Sequence, residues 1–181
     1  MMDMQKYLFR MQQILFYIFV IVSLLTLVLS LAFMTDFKVL FDQPYGVGTF
    51  HDDVLQVYNR AIFNASIVMV IGAFIVSVFD FRKAISDYLG LIVLGILSLF
   101  NVYKSFIFLS QIEDMTNEYL ALNFEDMLLA ANDVYEPTTR TFELTRMLYM
   151  GVIVVTLLFL VVSVINTVIY YLKQGKELPN E

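Results

Sequence analysis

The sequence predicts an all-α integral membrane protein: a four-transmembrane-helix, up-down-up-down bundle with an extracytoplasmic amphipathic helix between spans 3 and 4. Three observations carry this. Hydrophobic residues make up 60% of the 181 and charged residues only 15%, a balance foreign to soluble domains and disordered chains alike. The apolar residues gather into four runs, at 14–34, 61–79, 88–110 and 147–172. Each is close to or above the ~20 residues a helix needs to cross a ~30 Å hydrocarbon layer. Lysine and arginine crowd the short segments that alternate with two longer, acidic ones at 35–60 and 111–146. The length suits one domain, residues 1–181.

The first run follows a short polar start holding Lys6 and Arg10. It is longer than the core of a signal peptide, so we read it as a retained span despite the small residues Ser30 and Ala32. Ser23, Thr26 and Ser30 are spaced i, i+3, i+7. That stripe is expected to face other helices, since small and polar residues mediate helix contact in lipid. The loop after it turns around Pro44, Gly46 and Gly48. Its Tyr-Gly-Val-Gly at 45–48 has the composition of a potassium filter in the wrong order and reads as a turn. Asp53 and Gln56 match a capping box, so the second helix is expected to start near Asp53, outside the membrane.

The second span sets Ser66, Val70, Ala73 and Ser77 on one face. Asn64-Ala65-Ser66 fits a glycosylation acceptor by pattern but lies inside the apolar run. A short connection with Arg82 and Lys83 leads to the third span, whose apolar course is broken by Asn101 and Lys104. Beyond it, Leu120, Phe124, Met127, Leu128 and Ala131 recur at helical spacing. They predict an amphipathic outer helix with an acidic polar face, whose Leu120, Phe124, Met127 and Leu128 would meet a partner or the bundle. Pro137 is placed to open the fourth helix early. Thr156, Ser163, Asn166 and Thr167 form a polar stripe along it.

Lys6, Arg10, Arg82, Lys83, Lys173 and Lys176 fall on one side, against Lys38, Arg60, Arg140 and Arg146 on the other. The positive-inside rule then puts both termini in the cytoplasm. Twelve acids fall in the two outer segments, which makes the outer face strongly negative. The layout is similar to that of four-span immunity proteins of pore-forming bacteriocins, with inside termini and a short basic hairpin, although no motif is shared.

Asn64, Asn101 and Lys104 stand at a common depth, about 20–24 Å from the inner surface at 1.5 Å per residue. They are the one polar cluster with a cation. A charge at mid-membrane costs about 2.5–3.5 kcal/mol. Three readings compete for Lys104: snorkelling to the outer surface, an interhelical hydrogen-bond cluster, and a site for an anion or a partner's carboxylate. No Asp or Glu lies in the four runs, which speaks against a proton- or sodium-coupled carrier.

Without cysteine, and with one histidine, the chain has no thiol chemistry and no multi-histidine metal centre. His51-Asp52-Asp53 is a weak metal candidate, because three adjacent residues converge poorly on an ion. The net charge of −6 opposes nucleic-acid binding. No triad, phosphate-binding glycine loop or scaffolded carboxylate pair is present. The expectation is therefore a non-enzymatic accessory or interaction protein without cofactor, set in a bacterial cytoplasmic membrane. It would meet the lipid bilayer and another membrane or extracytoplasmic protein, or itself. The alternative is an oligomeric channel or carrier whose polar stripes line the path.

Overall fold

The computed structural model describes residues 2–36, 50–78, 88–124 and 137–177. Among these residues all regular structure is helical. Helix α1 covers Met2–Asp36. A π-helical turn, Phe50–Leu55, leads into α2, Gln56–Val78. Then come α3, Tyr88–Leu120, and α4, Arg140–Glu177. The chain's three prolines, at 44, 137 and 179, all fall outside these helices, so no helical hydrogen bond is lost to a ring.

All four helices are long and apolar enough to cross a membrane, over Lys6–Phe33, Phe50–Val78, Leu89–Leu120 and Arg140–Leu172. Only 33–39% of the most apolar window of each is buried. The rest of that surface, including Phe74, Leu99, Phe106 and Leu158, faces outward. Such a surface is stable only against lipid or another apolar solvent.

The buried face repeats every three or four residues in turn. On α1 it runs through Gln12, Phe16, Phe19, Ser23, Thr26, Ser30 and Phe33. On α4 it runs through Phe142, Thr145, Tyr149, Val152, Thr156, Phe159, Ser163 and Asn166. A 3.5-residue repeat gives each helix one straight seam, the pattern of helices that cross at about 20°. Both polar stripes lie in these seams, which the sequence led us to expect for Ser23, Thr26 and Ser30.

Packing divides the chain into two compact units. The first comprises Met1–Ser23, Val68–Tyr103 and Gly151–Glu181. Its core joins Phe16, Phe19, Ala73, Val76, Leu94, Leu97 and Phe159. The Phe159 ring lies 6.0 Å from Phe16 and 5.6 Å from Phe19. Gly72 lets Leu97 press on the α2 backbone: a Cβ at Gly72 would overlap Leu97 Cδ1 and come within 2.9 Å of its Cδ2. This unit also holds a buried polar relay. Gln12 Nε2 donates to Ser163 Oγ at 3.1 Å, and Asn166 Nδ2 donates to Gln12 Oε1 at 2.8 Å.

The second unit comprises Leu24–Ile67 and Lys104–Met150. Its interior is aromatic. Phe33 meets Tyr58 and Phe142 edge-on, and Phe108 packs 5.0 Å from Tyr149. Tyr58 donates its hydroxyl to the Phe108 carbonyl at 3.0 Å.

One helix boundary differs from the sequence expectation. Helix α3 does not stop at residue 110, because Ile112, Met115 and Tyr119 continue its buried face through the polar stretch. Leu120 therefore closes α3 instead of opening a separate helix. A turn follows, in which the amides of Ala121 and Leu122 reach back to carbonyls of the last helical turn. Helix α4 begins at Arg140, ahead of the apolar run at 147, in line with the early opening expected from Pro137. The helical path of α2 begins at Phe50, with the wider π winding placing both Phe50 and Leu55 inward. That agrees with an early start near Asp53.

Candidate functional site

The ends of α3 and α4 that outrun the apolar runs form an open cleft of about 360 Å³ within the second unit. Leu109, Ile112, Phe142 and Met150 give it an apolar lining. Ile112 and Phe142 are buried, at 4% and 2% exposure, and hold this lining rigid. Glu113, Thr116, Asn117, Glu143 and Arg146 supply its polar edge.

Local sequence explains how the edge is built. On α3, Glu113, Thr116 and Asn117 are spaced i, i+3, i+4 and share a side of the helix. Thr116 donates its hydroxyl to the Ile112 carbonyl at 2.6 Å, one turn back on its own helix. On α4, Thr139 caps the first turn. Its hydroxyl bonds Glu143 Oε1 at 2.9 Å, and its carbonyl accepts the Glu143 amide at 3.0 Å. Thr138 Oγ1 receives the Arg140 amide at 3.3 Å. Tyr119, fully buried, accepts the Thr138 amide on its hydroxyl at 3.3 Å and fixes the approach to α4.

Among the described residues Arg146 makes no ion pair with Glu113 or Glu143. The edge thus offers two carboxylates and one guanidinium over an apolar floor. The volume is at the low end for a ligand pocket and fits one or two large side chains.

The residues singled out from sequence are scattered. Asn64 is exposed, Asn101 is fully buried, and Lys104 is half-buried. Equal depth therefore does not give Asn64 and Asn101 equal surroundings: one faces outward and the other inward. Leu120 is 55% exposed. Phe124 is half-buried, its ring edge-on to Tyr119 at 5.2 Å. Met127 and Leu128 lie outside the described residues. His51 is buried, with Nδ1 at 2.8 Å from Asp52 Oδ1 and Nε2 at 3.2 Å from Gln56 Nε2. Both its ring nitrogens are thus engaged by neighbours on its own helix. Among the described residues no group of three or more His, Asp or Glu is placed to hold a metal.

Sequence reasoning missed the cleft. The available signal was the i, i+3, i+4 set at 113–117 opposite Thr139-x-x-x-Glu143, but its recognition needs the pairing of α3 with α4. Searches against protein-family models, curated proteins and solved structures found no match for this chain.

Proposed function

We propose that the chain is a non-enzymatic accessory or interaction protein of the bacterial cytoplasmic membrane. It docks a basic segment of another membrane or extracytoplasmic protein in the α3–α4 cleft. The observation that carries this reading is the cleft itself: an apolar floor edged by Glu113 and Glu143, with Arg146 as its one cation. A partner's lysine or arginine would pair with the carboxylates while its stem covers Ile112 and Phe142. The outer segments add further negative potential, which steers a basic partner toward the cleft.

The reading places four spans up-down-up-down, with both termini cytoplasmic. Residue pairing supports this. Within the first unit Gln12 meets Asn166 and Phe19 meets Phe159. Within the second, Phe108 meets Tyr149 and Tyr119 meets Phe142. Likewise Tyr58 meets Phe108 and Phe50 meets Tyr119. In each pair of helices the numbers run in opposite directions. The lysine and arginine bias sets the orientation, and the cleft then falls at the outer surface. An immunity-like role, in which the partner is a pore-forming toxin, is one form of this function.

The alternative is an oligomeric channel or carrier with polar stripes along its path. Against it, the stripes are buried within a single chain, and several of their hydroxyls bond their own helix: Ser23 to the Phe19 carbonyl and Thr167 to the Ser163 carbonyl. They do not face a path between copies.

The test is purification of the tagged protein in mild detergent with intact-mass measurement, for wild type and for Glu113→Lys/Glu143→Lys. A heteromeric complex that the double variant loses supports the reading. A homo-oligomer alone, or a complex indifferent to charge reversal, contradicts it.

A further inference from the structure

Buried hydroxyls in the first unit are of two kinds. Those of Ser23 and Thr167 donate to the carbonyl one turn back, at 2.9 Å each. Those of Ser98 and Thr156, at 2% and 0% exposure, have no hydrogen-bond partner. The same is true of both Nδ2 and Oδ1 of Asn101, which is 0% exposed. A serine or threonine on a helix can donate to the preceding turn's carbonyl, and these two hydroxyls do not. An unpaired polar group in lipid costs several kcal/mol. Four such atoms near one another call for an occupant that bonds them.

Their placement is close. Ser98 and Asn101 are i and i+3 on α3 and share a face. Thr156 stands three residues from Phe159, and Asn101 four from Leu97, with Phe159 and Leu97 in one core cluster. With α3 and α4 antiparallel, as proposed above, both steps go the same way by about one turn, ~5 Å. Asn101 and Thr156 then share a layer one turn beyond Leu97 and Phe159, and Ser98, one turn before Asn101 on the same face, borders it from the Leu97 side.

The chemistry of the orphaned atoms selects the ligand. Asn101 leaves a donor and an acceptor unpaired together. A metal ion would suit Oδ1 and the hydroxyls but repel the Nδ2 hydrogens, and an anion would do the reverse. Water donates and accepts, and buried water makes about three bonds to such groups. We propose that Ser98, Asn101 and Thr156 form an internal water site within the apolar span, holding one or two water molecules. This goes beyond the docking role, but rests on the antiparallel topology for the membership of Thr156.

The experiment uses the full chain in lipid nanodiscs, labelled with 15N-asparagine. The Asn101 side-chain amide is assigned by its loss in Asn101→Leu or, if that variant does not fold, by its shift in Ser98→Ala. Cross-relaxation from water to the Asn101 Nδ2 protons is then measured. The expected result is a signal with the sign of a long-lived bound water, reduced severalfold in both Ser98→Ala and Thr156→Val. Cross-relaxation from protein protons alone overturns the proposal. A water signal that falls in Ser98→Ala but not in Thr156→Val overturns the three-residue site. A disulfide in Phe108→Cys/Tyr149→Cys separates that outcome from a failure of the topology itself.

Discussion

Gln12 shows how one side chain can organise a membrane interior. It donates to Ser163 and accepts from Asn166, so three otherwise stranded polar groups satisfy one another. Gln12→Leu strands Asn166 Nδ2. Polar pairs in lipid are coupled by about 0.6 kcal/mol on average and up to about 1.7, while an orphaned buried donor costs about 1–3 kcal/mol. The expected loss is about 1–2 kcal/mol in a denaturant titration of the detergent-solubilised protein. Adding Ser163→Ala and Asn166→Leu to Gln12→Leu should recover most of it, because no orphan then remains. Gly72 acts at the same scale through size. A leucine there has to displace Leu97 in a packed core, an overpacking worth about 1–3 kcal/mol. Gly72→Leu should lower the thermal midpoint, and Leu97→Ala in the same chain should restore part of the loss.

At the scale of the helix, the cap of α4 is the most exposed point of design. Thr139→Ala removes the exposed bond to Glu143 Oε1 and should cost about 0.2–0.5 kcal/mol, the worth of an i, i+4 side-chain pair. Its signature is faster amide exchange over residues 140–144 with α3 unaffected. Four helices of the right type were legible in the sequence because a run of ~20 apolar residues has few other solutions. So was the burial of Ser23, Thr26 and Ser30, since polar groups in lipid turn inward. The extension of α3 to Leu120 was not. Hydropathy falls after residue 110, whereas the seam of Ile112, Met115 and Tyr119 continues without a break. Helix ends are set by that seam and not by the end of the apolar run. Asn64 misled for a related reason: its depth in the span is readable from the chain, but its outward face emerges only from the register of its neighbours.

For the molecule as a whole, the four long apolar helices fit a membrane protein, and the proposed docking role rests on the α3–α4 cleft. The proposed orientation rests on the cations in the short segments, and a charge-reversal series there tests it: Arg82→Glu/Lys83→Glu weakens the inside bias and should produce a mixed population in a protease-protection assay. The cleft was not legible in the sequence, since Glu113 and Glu143 read as two among twelve acids until α3 and α4 are paired. The decisive measurement is site-specific photo-crosslinking in the native membrane from a photoreactive residue at Thr116, with mass spectrometry of the product. The expected result is one crosslinked polypeptide, joined through a lysine- or arginine-bearing segment, lost with Glu113→Lys/Glu143→Lys and regained when the partner's basic residues are changed to glutamate. Crosslinks to lipid or to a second copy of this chain, or a product unaffected by the charge reversal, would contradict the docking account.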